Sequence, residues 1–184
     1  SKMHWELKDI TVWHLERLTP LPAPPPPHAY ELVNLVDPDP GFCRYLYATV
    51  GAPWLWYEKI GWSLSEWQHH VNQPNVAFWV AYVSGNPIGY FEIKHGHDSA
   101  SEICLFGLMP NWVGRGLGSD LLQDAIHQAF KPGQRRVWLH TCSLDHPNAL
   151  PNYTKHGFNL FKEERFMAKV PAEPLEPFPG AYSP

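Results

Sequence analysis

The sequence predicts an α+β fold in which strands, two of them joined as a hairpin, are interspersed with helices around one core. Three observations carry this. Two runs rich in β-branched and aromatic residues, Val76 to Val83 and Ile88 to Lys94, are joined by Ser84-Gly85-Asn86-Pro87, which is turn chemistry for a hairpin. An amphipathic run, Ser119 to Phe130, separates further strand-like stretches and places Leu121, Leu122, Ala125, Ile126 and Ala129 on one face. A chain of 184 residues with 44% hydrophobic content is long and apolar enough for one full core.

The elements follow in order. Trp5 to Leu18 alternates and contains a first strand. Thr19 to His28 carries six prolines, four of them consecutive from Pro24 to Pro27. It reads as a stiff extended connector, the other use being a ligand for an SH3-like module. Tyr30 to Val36 fits a short strand or a helix start. Gly41 to Val50 and Ser63 to Val71 read as helices, with Ser63 or Ser65 capping the second. After the hairpin, His95 to Ser99 is a polar turn and Ala100 to Met109 a third strand. Pro132-Gly133 stops the amphipathic helix, and Val137 to Cys142 is another strand. Pro147 to His156 is a short helix ending at Gly157, a C′ glycine. Phe158 to Phe161 and Arg165 to Val170 are expected to close the sheet as a hairpin, and the proline-rich tail from Pro171 to wrap the surface or fray. The organisation is therefore a strand and connector over 1–28, a main domain over 29–170 and a tail over 171–184.

Composition narrows the partners. A formal charge of -4 with no Lys/Arg block argues against nucleic acid. No apolar run reaches the length of a membrane span, and no signal peptide opens the chain. Cys43, Cys104 and Cys142 make no disulfide framework, so a cytoplasmic setting is expected. The pairs His69-His70 and His95-Gly96-His97 lack further ligands at suitable spacing and read as surface residues, with no metal. The sequence leaves a homodimer open.

Between the third strand and the amphipathic helix lies Val113-Gly114-Arg115-Gly116-Leu117-Gly118-Ser119. A helix start offers unpaired N–H groups and partial positive charge, and glycines let that backbone approach a ligand closely. The implied cargo is a phosphorylated cofactor. Gly118 is followed by Ser119 with no Lys, so the turn is no P-loop. The G-x-G-x-G spacing, past the middle of the chain, does not match a dinucleotide fingerprint.

This turn, together with Asn148-Ala149-Leu150-Pro151-Asn152-Tyr153-Thr154-Lys155-His156-Gly157-Phe158 downstream, resembles the GCN5-related N-acetyltransferase superfamily, and the order of elements from about Val76 to Val170 fits it. Phe106 to Pro110 with Trp138 to Pro147 resembles an uncharacterised bacterial branch of it. The resemblance implies a three-layer fold with a mixed, mostly antiparallel central sheet flanked by helices, whose two splayed strands form an acyl-CoA cleft, and acetyl-CoA as co-substrate. It implies that main-chain amides of Val113, Gly114, Arg115, Gly116, Leu117, Gly118 and Ser119 hold the pyrophosphate. It further implies that Leu108 and Met109 pair with the pantetheine arm, and that Asn148 hydrogen-bonds it. Val113 stands where the family has Gln or Arg, so side-chain help there is lost.

N-acetylation needs a base for the amine, a donor for the thioester oxygen and a proton for the leaving thiolate. By resemblance Glu102 is the base, Tyr153 the acid, and a main-chain N–H near Leu108 the oxyanion donor. The other readings are an ion-paired strand glutamate and an aromatic that only packs beside the thioester. His140 and Cys142 share a strand face and are further candidates, as base and as nucleophile. Glu92 could orient an amine or face solvent. Trp54, Trp56, Tyr57, Trp62 and Trp67 could hold a cationic or ring-bearing amine, with one or two of them in the core. The enzyme reading is an acyl-CoA N-acyltransferase acting on a small-molecule amine. The alternative is a degenerate CoA-binding sensor or scaffold.

Overall fold

The computed structural model describes residues 3–184. Its elements are β1 (Trp5–Arg17), β2 (Glu31–Asn34), α1 (Pro40–Gly51), α2 (Leu64–Val71), β3 (Val76–Val83), β4 (Asn86–His95), β5 (Ala100–Leu108), α3 (Leu117–Ala129), β6 (Arg136–Cys142), α4 (Ala149–Lys155) and β7 (Asn159–Pro171). Seven strands form one sheet in the order β2-β3-β4-β5-β6-β1-β7. Every neighbouring pair is antiparallel except β5 and β6, which α3 connects as a parallel crossover.

Local capping chemistry sets the ends of α1 and α2, while α3 begins two residues before, and α4 two residues after, the expected starts at Ser119 and Pro147. Asp39 caps α1 by accepting from the Phe42 N–H at 2.8 Å, with Pro40 opening the helix. Ser63 and Glu66 form a reciprocal capping box on α2. Ser84 and Gly85, with φ of 50° and 80°, make the tight β3–β4 turn. Tyr30 to Val36 resolves as a strand, because β2 finds an open edge on β3.

The helices cover both faces. Leu121, Leu122, Ala125, Ile126 and Ala129 of α3 are fully buried against Phe91, Ile93, Leu139 and Phe158. Each such Leu or Ile stabilises the fold by roughly 1.5–3 kcal/mol. On the other face, Cys43, Leu46, Tyr47 and Val50 of α1 and Trp67 and Val71 of α2 pack on Phe78, Val80 and Tyr90. No helix among the described residues is long and apolar enough to cross a membrane.

One expectation is corrected. Residues 158–170 do not form a hairpin. β7 is a single strand of 13 residues, and β1 takes the place of its expected partner by inserting between β6 and β7. Lys162-Glu163-Glu164 holds no turn residue, and on an edge strand its charges stay in solvent. β1 also gives them partners: Trp13 Nε1 donates to Glu163 at 2.8 Å, and His14 Nε2 lies 2.7 Å from Glu164.

Candidate active site

β5 and β6 pair only through Ala100–Arg136, Ser101–Val137 and Glu102–Trp138, and then part. A bulge in β5 accompanies the parting. Ile103 opposes Ile93 and Leu105 opposes Glu92, so Cys104 is the extra residue. Such an insertion bends a strand and increases its twist. The gap widens into a cavity of about 900 Å³ that runs from the glycine turn to the mouth beyond Glu102.

The turn is built for close approach. Gly114 and Gly116 have φ of 83° and 81°, where a side chain would be strained, and nothing lies near where a Cβ would point. Gly116 is the N-cap of α3 and supplies no side-chain cap. The amides of Leu117, Gly118 and Ser119 therefore begin the helix without intrahelical acceptors. Val113, Gly114, Gly116, Gly118 and Ser119 border the cavity, whereas the Arg115 guanidinium stacks on Trp112 at 4.4 Å and Leu117 packs towards the core. α4 fastens this end: Asn152 donates to the Gly118 carbonyl at 3.4 Å, and His156 Nε2 lies 2.9 Å from Ser119 Oγ.

Leu108 and Met109 separate. Met109 donates its N–H to Ile88 at 2.8 Å, its carbonyl accepts from Trp112 at 2.9 Å, and its side chain is buried beside Leu46 and Val50. The Met109 main chain is thus already engaged, and Met109 is not among the residues that border the cavity. Leu108 stands opposite Gly89, one step before that bond. Antiparallel alternation turns its N–H and C=O away from β4, towards the gap. Asn148 borders the cavity and makes no side-chain cap on α4.

Several titratable side chains also border the cavity. Glu102 is half-buried on the cavity wall, and burial pushes its pKa above the ordinary glutamate value, against a weaker downward pull from His140. Tyr153 is buried beside Phe106 and Phe158 and borders the cavity. Burial, with Asp145 behind it, raises its pKa, so the phenol keeps its proton. His140 lies on the cavity rim, exposed, with its ring 5.8 Å from that of His14. Burial pushes the Cys142 thiol up to about 11, which leaves it protonated and a poor nucleophile at neutral pH.

Glu92 is not on a solvated face. It is 2% exposed, borders the cavity, and lies 2.7 Å from His70 Nε2. His70, expected on the surface, turns inward with Trp67 and Val71, while His69 stays exposed. The signal lay in Glu92 interrupting the apolar run from Ile88 to Ile93, and in His70 following Trp67 by three residues on a helix. Of the aromatics, Trp54 and Trp56 border the cavity, Trp67 is core, Trp62 packs on Trp67, and Tyr57 meets Trp5.

The acetyltransferase (GNAT) family model matches residues 29–158. A mycothiol acetyltransferase of Corynebacterium efficiens is 32% identical over 73 residues, covering 40% of this chain and 24% of that protein. An uncharacterized N-acetyltransferase of Methanocaldococcus jannaschii is 28% identical over 120 residues, covering 62% and 53%. The chain thus spans about a quarter and about half of the lengths of these curated relatives. A solved GCN5-related N-acetyltransferase from Sphaerobacter thermophilus shares the fold, with a TM-score of 0.63 at 18% identity over 91% of this chain and 53% of that one.

Proposed function

Since the chain belongs to the GNAT acetyltransferase family, we propose that it moves an acetyl group from acetyl-CoA to the primary amine of a small molecule, by direct attack in a ternary complex. The observation that carries this is the single cavity joining an uncapped, glycine-lined helix start to Glu102 and Tyr153 through the gap between β5 and β6. Acetyl-CoA supplies the thioester that the amine attacks. The residues present fit it. Amides from Val113 to Ser119 offer donors to the pyrophosphate, and Leu108 offers main-chain groups to the arm. Asn148 lies along the same wall with its side chain free of capping.

Glu102 takes the ammonium proton, so that a neutral amine attacks. Its raised pKa makes it a stronger base than an exposed glutamate. The Leu108 N–H, turned away from β4, would donate to the oxygen that gains charge, a kind of contact worth about 3 kcal/mol in the transition state. Tyr153 gives its phenolic proton to the leaving sulfur; the second proton, which the attacking nitrogen sheds as the intermediate collapses, passes to solvent, and the phenol is reprotonated from there. Direct attack suits the protonated Cys142 better than an acylated thiol does. A binding module would have no use for both Glu102 and Tyr153 on one cavity. The proposed setting is the cytoplasm, where the three free thiols stay reduced.

The test is thiol release from acetyl-CoA across a panel of amines, aminoglycosides, amino acids and peptide N-termini. Release that depends on one class of amine is expected. No release with any of them, or none beyond background hydrolysis, overturns the proposal.

A further inference from the structure

The chemistry above leaves one buried charge on the cavity wall unused. Glu92 is 2% exposed, and a carboxylate that deep is rarely kept without a purpose or a partner. Its partner is His70. The Gln73 side-chain nitrogen donates to the His70 carbonyl at 3.3 Å and lies 3.4 Å from Nδ1. Nδ1 therefore accepts, Nε2 carries the hydrogen, and that hydrogen goes to Glu92 Oε1 at 2.7 Å. The imidazole is held edgewise among Trp62, Trp67 and Phe78. One carboxylate oxygen is thus fixed by a rigid donor, and the other is left for the cavity that Glu92 borders.

Glu92 and Glu102 share a sheet face. Lys94 opposes Glu102, and Glu92 is two residues along from Lys94 on β4, with the bulge on β5 absorbing the register shift. One strand across and two residues along places their Cα atoms about 8 Å apart. The negative field of Glu92 reaches Glu102, where it is one of the influences raising the pKa. Tyr47 and Trp56, with ring centroids 5.5 Å apart, border the same end of the cavity. The Lys59 ammonium lies 5.6 Å from the Tyr47 ring and 5.3 Å from Trp62, so these rings already attract a cation. Lys94 is exposed, and among the described residues neither lysine closes an ion pair with Glu92 or Glu102.

We propose that Glu92, positioned by His70, binds a second cationic nitrogen of the acceptor, which is therefore a diamine or a longer compound with two amines a short alkyl spacer apart. One nitrogen reacts at Glu102 while the other stays an ammonium on Glu92. This rests on the N-acyltransferase reading and deepens it.

The test compares straight-chain monoamines with α,ω-diamines of matched length, from propyl to octyl, by thiol release from acetyl-CoA with the full chain. Diamines should exceed monoamines in kcat/KM by about tenfold or more, as a charged hydrogen bond in a buried site requires. An intermediate length should be best, matching the separation of the two carboxylates. In Glu92→Gln the diamine-to-monoamine ratio should fall towards one, and in His70→Gln it should fall part of the way. An acetyl-CoA thermal shift shows that each variant is folded. Equal rates for the wild-type mono- and diamine series overturn the inference without needing any variant. So does a ratio that survives in folded Glu92→Gln. Acetylation of amino acids or peptides with no preference for diamines also sinks this subsite while sparing the N-acyltransferase reading. Absence of release with every amine defeats both.

Discussion

Glu102 and Tyr153 ask opposite things of the same burial. For Glu102, burial disfavours the charged form and so raises the pKa. Its folded value lies above its unfolded one. The stability it contributes is full below the unfolded pKa and is lost as pH rises through the folded pKa. Glu102→Gln removes that loss. Its melting temperature should therefore gain on the wild type as pH is raised from acid to neutral, while kcat falls by about 10²–10⁴. Melting curves across pH beside thiol-release rates check both. A variant equally stable at every pH, or one that keeps wild-type kcat, contradicts the role. For Tyr153, burial preserves the proton that the proposed acid would give up. Tyr153→Phe keeps the ring packing on Phe106 and Phe158 and should lower kcat while leaving acetyl-CoA affinity within about threefold. Wild-type turnover in that variant removes the acid role.

At the scale of elements, the glycine turn was legible from sequence because its physics is local. Alternate glycines ahead of an amphipathic run serve a backbone that needs positive φ, and Gly114 and Gly116 have it. Gly116→Asp puts bulk and negative charge beside the uncapped start of α3. It should abolish the rise in melting temperature expected of the wild type with acetyl-CoA. A retained shift would refute the cradle. The capping of α2 by Ser63 was readable for the same local reason. Less local features were not. Whether a main-chain amide is free depends on its neighbour, and Ile88 decides this for Met109. The inward turn of His70 needed the contact between α2 and β4. Residues 158–170 carry apolar runs around a charged centre, a pattern equally suited to two short strands or one long one. The choice fell to β1, whose Trp13 bonds to Glu163 across 150 residues of sequence.

At the scale of the whole molecule, the sheet is joined by its first strand. β1 pairs with β6 through Val12 to Arg17 and with β7 along almost its full length. It also supplies Leu15 and Ile10 to the buried set, both under 5% exposed. Removing residues up to Arg17 should therefore abolish cooperative folding and not merely lower the melting temperature. It strips one side of β6 and the sole neighbour of β7. Circular dichroism melts and urea titration test this. A truncated chain that still unfolds in one sharp transition near the wild-type midpoint would show that β1 is dispensable.

That placement sets the order in which a growing polypeptide can mature. On the ribosome, Trp5 to Arg17 emerges well before its two mates. At ordinary translation rates the wait is on the order of ten seconds. Throughout it, an alternating apolar ribbon is available to any exposed edge it meets. Yield in a cell should therefore depend on holdase chaperones that shield nascent segments awaiting their partners, more than the modest size of the domain suggests.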